Sequence, residues 1–389
     1  MGTMMAAQVL WQDDETVKVA LVHDWLVAHR GGENVLMELA TLFPQAPIYT
    51  LVYDREKAPT ALSSREVHTS WLQKLPFSEK HFRKLLPLMP RAIESFDLSS
   101  YDLILSTSHC VAKGILTHQN QVHLSYIHTP MRYIWDQMPH YLPGRLPKFV
   151  SHPLARVATI PLRQWDRKSG QRPTTLLANS GFVAERIERC WGREASVVYP
   201  PVDITRFKPP SHQTKKSYFL VVSALVPYKN NALAVAWASK HGESLKVVGS
   251  GSEYARLRSM AGPSVEFVGA LDSVELVKAY QGARALLFCG IEDFGIVPLE
   301  AMAAGCPVIA LARGGALETV SVAPDLLTGV FFREPNLTAL ETAIHQFRKD
   351  EEEGRFVPER MYGYTQRFSP ARFRDEVCRV LQTMKIAKI

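Results

Sequence analysis

The sequence predicts an α/β protein made of two doubly wound, parallel-sheet domains, and three observations carry that expectation. Its 389 residues make about two domains, and 46% hydrophobic residues suffice for two cores. Short apolar runs alternate with helix-like segments in both halves, the rhythm of parallel strands joined by crossover helices. The halves meet at YPPVDITRFKPP (199–210), which places four prolines in twelve residues and reads as a stiff, extended linker.

In order, the first half yields strand VKVALV (17–22), a helix from Glu33, and strands PIYTLV (47–52), DLILS (102–106), VHLSYIH (122–128) and TTLLANS (174–180). The second half yields SYFLVVSAL (217–225), helix 230–240, LKVVG (245–249), helix 252–260, VEFVG (265–269), helix 272–281, RALLFC (284–289), helix 297–304, PVIAL (307–311) and GVFF (329–332). From Pro370, PARFRDEVCRVLQTMKIAKI reads as a last helix with a proline start. Domain boundaries follow at 1–200 and 201–369, with helix 370–389 packing back on the first domain. Open α/β sheets take ligands at the C-terminal ends of their strands, so the two domains facing across a cleft would hold one substrate each.

The formal charge of +7 favours an anionic partner without choosing among phosphate-rich small molecules, acidic membranes and nucleic acid. Five scattered cysteines with no C-x-x-C spacing suggest neither disulfides nor structural zinc, which fits a reducing cytoplasm. The N-terminus lacks the basic n-region of a signal peptide, and no apolar run is long enough to span a bilayer, so any membrane contact is expected to be peripheral.

The most informative stretch is EDFGIVPLEAMAAGCPVIA (292–310). Pro298 suits a first helical turn, LEAMAA is strongly helix-forming, and Gly305 with Pro307 is a stop. The amides of Ile296 and Val297 would then form an anion site, with Gly295 letting a phosphate come close. Phe294 belongs to the same loop. Glu292 and Glu300 flank that site; carboxylates repel phosphate but accept from paired sugar hydroxyls, which is the geometry of a nucleotide sugar. The plainer alternative has Glu300 complementing the helix dipole and Glu292 solvated.

The E-x₇-E pattern here, followed by RGGALETV (313–320), resembles the signature of family 4 retaining glycosyltransferases of the GT-B fold. LVHDWLVAHRGGENVL (21–36), YIHTPMRYIWD (126–136), ANSGFVAERI (178–187), YPPVD (199–203) and VVSALVPYKN (221–230) fall at the family's places and in its order. The resemblance implies that Glu300 holds the ribose hydroxyls, that the Ile296 and Val297 amides hold the diphosphate, that Glu292 holds the donor sugar and that Lys229 neutralises the leaving group. By residue type alone Lys229 is a surface lysine. Family members usually carry an arginine five residues before that lysine; Ala224 stands here, leaving Arg313 or Arg132 as substitutes, Lys229 and the helix acting alone, or a silent site.

Gly249 and Gly251 in GSGSE lack the third glycine of a phosphate fingerprint and read as a turn lining the nucleoside pocket. Gly31 and Gly32 sit where a ligand would near the backbone. The resemblance puts them on the acceptor side, with His23 and Asp24 as acceptor contacts or, equally, as a structural pair. It also gives His128 a role in positioning the donor sugar and stabilising charge, and Arg132, Tyr133, Trp135 and Asp136 an acceptor channel; by composition, a His before Thr-Pro is a capping or packing residue. His118, His123 and His128 are spaced by five and His123 and His128 point to opposite strand faces, so no metal cluster is expected, and no D-x-D motif is present.

KLPFSEKHFRKLLPLMPR (74–91) interleaves Lys74, Lys80, Arg83, Lys84 and Arg91 with apolar residues, as a segment on an anionic membrane would, or an ordinary helix with a solvated basic face. A second basic run spans Arg145, Lys148, Arg156, Arg163, Arg167, Lys168 and Arg172. No nucleic-acid module accompanies these charges. The expectation is thus a retaining, metal-independent hexosyltransferase without cofactor, cytoplasmic, either free or peripheral on the inner face of the plasma membrane. It would carry a hexose, first mannose from GDP-mannose, to a hydroxyl of a glycan or polyprenyl-diphosphate-linked glycan. The motifs HDWL, HTPMRYIWD and SALVPYKN look most like the mannosyltransferase-like branch of bacterial O-antigen and exopolysaccharide synthesis. Alternatives are a UDP-sugar-dependent transferase, a GT-B epimerase or hydrolase, a phosphorylase-like enzyme, and a non-catalytic nucleotide-sugar-binding protein.

Overall fold

A computed structural model describes residues 17–29, 31–135, 159–210 and 216–384. They form two compact units: the chain up to Pro201 with the segment from Pro370 on, and Val202–Ser369.

The first unit holds a parallel sheet of β1 (Val19–His23), β2 (Ile48–Thr50), β3 (Val67–Thr69), β4 (Leu103–Ser108), β5 (Val122–Ile127), β6 (Thr175–Ala178) and β7 (Ser196–Val197), in the order β3-β2-β1-β4-β5-β6-β7. β4 is buried throughout and β5 almost so, as parallel strands covered on both faces must be. Side-chain alternation divides them between two cores, Leu21, Leu105 and Leu124 on one face and Ala20, Val22 and Ile104 on the other. The Pro370–Thr383 helix lays Phe373, Val377 and Leu381, spaced by four, into the first of these cores beside Leu36 and Leu39.

The second unit holds β8 (Tyr218–Val222), β9 (Leu245–Val248), β10 (Val265–Gly269), β11 (Ala283–Phe288), β12 (Val308–Leu311) and, after a small antiparallel ribbon of β13 (Val322–Ala323) and β14 (Leu326–Leu327), β15 (Gly329–Phe332). The six-stranded order is β10-β9-β8-β11-β12-β15. In both sheets the winding reverses beside the first strand, between β1 and β4 and between β8 and β11. A crevice opens at the strand ends where neighbouring crossovers diverge, so these are the positions for ligand loops.

Several expectations need correction. The first helix starts at Gly31, not Glu33, so the glycine pair is helical first turn and Glu33, buried there, meets the dipole. Residues 74–91 are not one helix: Pro76, Pro87 and Pro90 divide the region into a 3₁₀ turn at Trp71–Lys74, a turn of α-helix at Ser78–His81, another 3₁₀ turn at Phe82–Leu85 and the Met89–Glu94 helix. The linker is no free spacer, since Val202, Ile204 and Phe207 are fully buried. Strands β3 and β7 and the helices Gly181–Trp191 and Leu337–Glu352 come in addition.

Candidate functional site

In the second unit the loops after the two strands at the reversal carry the charged residues. β8 runs into the 3₁₀ turn Pro227–Lys229, which Asn230 closes in the left-handed conformation at φ 51°. β11 runs through Gly290 into Glu292. A side chain at Gly290 would stand 2.9 Å from the Lys229 Cα, so the missing Cβ lets the loops approach, and Lys229 Nζ meets Glu292 Oε1 in an ion pair. The Ile296–Ala303 helix follows, its cap Gly295 at φ 99°, a value that favours glycine. Ile296 and Val297 are half-exposed, and their amides, in the first turn, have no acceptor within the helix.

Phe294 does not face a ligand. Its ring is buried and packs edge-on against Phe368 at 5.6 Å, so this position can serve a donor only through main-chain atoms. The RGG loop holds the Glu292–Phe294 turn by backbone contact: Gly315 N donates to Glu292 O at 2.9 Å, and a Cβ at Gly315 or Gly314 would lie 2.2 Å from Phe294 O or 2.5 Å from Glu292 O. Gly249 and Gly251 are likewise required by protein packing, since a Cβ there would fall 1.9 Å from Ser223 O and 2.3 Å from Leu225 O. That contact accounts for both glycines without a nucleotide.

Glu300 is half-buried, and Tyr280 donates its hydroxyl to Glu300 Oε2 at 3.1 Å. Burial raises the carboxyl to about 7, against the lowering effects of the Tyr280 hydrogen bond and of Arg206. Neither Tyr280 nor Arg206 follows from a local motif, because they lie 20 and 94 residues from Glu300 in the chain. Of the cations considered for the position of Ala224, Arg313 pairs with Glu334 at 3.2 Å and Arg132 lies in the first unit.

In the first unit, β1 ends in His23 and the next residue is Asp24. The Asp24 carboxylate is fully buried and accepts four backbone amides, His109 and Cys110 on Oδ2 at 2.7 and 2.9 Å, Val111 and Ala112 on Oδ1 at 2.6 and 2.7 Å. Burial pulls its pKa upward, but His109, His23 and those amides outweigh it and hold the group below the ordinary value. Asp24 therefore anchors the loop after β4 and is no acceptor contact. Tyr133 is corrected too: its ring packs on an interior cluster that includes Cys110 and Met131. Trp135 likewise turns inward, donating its indole N–H to Asp166 at 2.8 Å.

His128 follows β5, and its Nε2 would stand 3.6 Å from a Cβ at Gly32, so the histidine and the glycine pair do meet. Burial, with His109 and His23, drives its pKa to about 3. It is a neutral imidazole, so the expected charge-stabilising role reduces to that of a hydrogen-bonding dipole. The ring of His23 contacts Thr107 through Nδ1. Of the ten buried side-chain polar atoms without a hydrogen-bond partner among the described residues, four are His23 Nε2, Thr50 Oγ1, Ser108 Oγ and His128 Nε2. All four sit at the C-terminal edge of the sheet, the edge where such a fold takes ligands.

Arg132 opens the short Arg132–Trp135 helix, while Asp136, Arg145, Lys148 and Arg156 lie outside the described residues. Of the remaining second basic run, Arg163 donates to Ile134 O at 2.6 Å and Arg172 pairs with Glu94 at 2.7 Å, both internal contacts. Among the described residues no group of His, Cys, Asp and Glu converges as a metal site, and no helix is long and apolar enough to cross a membrane.

The chain is 29% identical over 195 residues to a GDP-mannose-dependent monoacylated alpha-(1-6)-phosphatidylinositol monomannoside mannosyltransferase of Corynebacterium glutamicum, covering 42% of this chain and 51% of that protein. It is 26% identical over 211 residues to the human alpha-1,3/1,6-mannosyltransferase ALG2, covering 45% of this chain and 50% of that one. The chain thus spans about half the length of these curated relatives. Among solved structures, the sucrose-phosphate synthase of Thermosynechococcus elongatus superposes with a TM-score of 0.68 at 18% identity over 94% of this chain and 98% of that one, which shows a shared GT-B fold. Residues 29–206 match Glycosyltransferase Family 4 and residues 203–362 match Glycosyl transferases group 1, so the two units together carry both family halves in order, and the chain belongs to the family 4 glycosyltransferases.

Proposed function

We propose that this chain is a retaining, metal-independent mannosyltransferase that moves mannose from GDP-mannose to a hydroxyl of a lipid-linked or polysaccharide acceptor. The observation that carries the reading is the convergence of Lys229 and Glu292 from the two loops at the sheet reversal, beside the open end of the Ile296–Ala303 helix. Two relatives whose names specify mannosyl transfer, one from GDP-mannose, support the choice of donor.

In this reading the helix amides and Lys229 take the diphosphate, Glu292 the sugar hydroxyls and Glu300 the ribose. Negative charge grows on the diphosphate as the C1–O bond to phosphate breaks, and fixed donors aimed there lower the barrier without reorganising. The acceptor oxygen bonds C1 on the same face, and its proton passes to the departing phosphate oxygen. Lys229 and the helix supply the charge that a metal supplies elsewhere, and no cofactor is needed. His128 positions the donor sugar, and the Gly31–Gly32 turn beside it is the side for the acceptor. Thermal-shift measurements with GDP-, UDP-, ADP- and dTDP-sugars, followed by turnover with the stabilising donor and NMR of the product anomer, test the reading. Stabilisation by GDP-mannose and an α-linked product support it. A larger shift with a UDP-sugar moves the assignment to that donor, and binding without turnover leaves a nucleotide-sugar-binding protein.

The same proposal includes peripheral contact with anionic membrane through residues 74–91, where Phe77 is 72% exposed amid exposed Lys74, Lys80, Arg83, Lys84 and Arg91. Each such cation adds about 1 kcal/mol near an anionic surface. Flotation with phosphatidylglycerol vesicles, lost in Phe77→Asp and absent with phosphatidylcholine, is the expected result; equal flotation of the variant overturns the contact.

A further inference from the structure

Glu300 does not stand alone. Behind it, Tyr280 is completely buried near the end of the Ser273–Gln281 helix and donates its hydroxyl to Oε2 at 3.1 Å. The ring is fixed by Phe207, which meets it edge-on at 5.8 Å. The helix is fixed at its other end by a capping box in which Asp272 accepts from Val274 N and Glu275 N, both at 2.8 Å. Arg206 donates to Ser273 Oγ at 3.2 Å and lowers the Glu300 pKa through its charge.

We propose that Tyr280 is a positioning residue for nucleoside recognition, fixing the Glu300 carboxylate so that its remaining lone pairs face the two ribose hydroxyls. The inference rests on Glu300 being the ribose ligand. A carboxylate offers about four acceptor sites; one taken by the phenol leaves enough for two hydroxyls and removes the rotation that would blur their placement. Protonation turns one of those sites into a donor, so nucleotide affinity should fall with pH below about 7. The groups acting on Glu300 are Tyr280 from the preceding helix and Arg206 from the linker, with the buried Cys306 behind Tyr280. Loss of the phenol removes a bond to the ionised form and moves the midpoint upward, as does loss of Arg206.

The test is calorimetric binding of GDP and UDP, each beside its 2′-deoxy analogue, from pH 5.5 to 8.5, to the full chain and to Tyr280→Phe, Arg206→Met and Glu300→Gln. Tyr280→Phe should weaken the ribonucleotide by about fivefold to twentyfold at pH 7.5, the scale of a hydrogen bond to a charged group. It should also raise the pH midpoint, narrow the preference over the 2′-deoxy analogue, and leave kcat at saturating donor nearly unchanged. Arg206 is exposed, so Arg206→Met keeps the fold and should raise the midpoint as well. Unchanged midpoints and unchanged ribose preference in both variants overturn the inference. A different result, in which Glu300→Gln binds as wild type or wild type binds no nucleotide, overturns the donor site itself, so the two failures are distinguishable.

Discussion

The ion pair between Lys229 and Glu292 joins the group meant for the diphosphate to the group meant for the sugar. Both side chains are about one-fifth exposed, 20% and 19%. At contact distance and an effective dielectric constant of about 20, opposite unit charges attract by about 4 kcal/mol, whereas fully exposed pairs retain about 0–1 kcal/mol after desolvation and ordering. A pair buried to this degree falls between, at about 1–2 kcal/mol net, which is about 5- to 30-fold in affinity. A free nucleoside diphosphate must draw Lys229 away from Glu292 with nothing to offer the carboxylate, while a nucleotide sugar presents hydroxyls to it. Glu292→Gln should therefore tighten GDP by about that factor and weaken GDP-mannose. Calorimetry on both ligands, repeated in a Lys229→Met background, measures the effect. The gain for GDP must disappear without Lys229; a gain that persists reflects plain repulsion between Glu292 and phosphate, and GDP affinity that is unchanged or weaker in Glu292→Gln refutes the reasoning.

Glu300→Gln is expected to stabilise the protein at alkaline pH. The folded value of about 7 lies above the ordinary 4.5, so the native state holds the extra proton between them and wild-type stability declines as pH rises across that window, by up to about 3 kcal/mol. The variant should melt above wild type at pH 8 and with it near pH 4, by thermal denaturation. Asp24→Asn turns an acceptor of four amides into a group with its own N–H facing two of them, and a loss of about 3–5 kcal/mol is expected from urea denaturation. Because the folded pKa of Asp24 is depressed, its contribution is present in full above the unfolded value near 3.8 and is lost as pH falls from there through the lower folded value. Gly315→Ala would place a methyl 2.2 Å from Phe294 O, displacing the Glu292 turn; donor affinity should drop at least about tenfold in the thermal-shift panel while the chain still folds.

Much of the second unit was legible because buried parallel strands leave near-continuous apolar runs and its helices begin and end at proline, glycine or capping residues. VEFVG and GVFF coincide with β10 and β15 residue for residue. β3 and β7 are three and two residues long, are not buried and have no apolar pattern to display. The Leu337–Glu352 helix does carry a signal, Leu340, Ala343, Ile344 and Phe347 behind the Asn336 cap, and could have been read. At the candidate site the local chain displays Glu292, Gly295 and Glu300. What it hides is whichever partner comes from elsewhere: the phenol of Tyr280, the amides that occupy Asp24, the Phe368 ring that draws Phe294 inward. The motif around His128 marks it at the end of a strand, but its closeness to Gly32 and its neutral state come only with the folded chain.

The turn bearing Glu292 is braced mainly through main-chain atoms of Gly314 and Gly315, with the Ile291 side chain also beside Gly314. Such a brace is blind to the chemistry displayed around it. Whoever wishes to redirect the protein toward another sugar can exchange the side chains that rim the turn freely, and must leave the two glycines alone, since no second-site substitution can restore the space that a single added carbon would occupy.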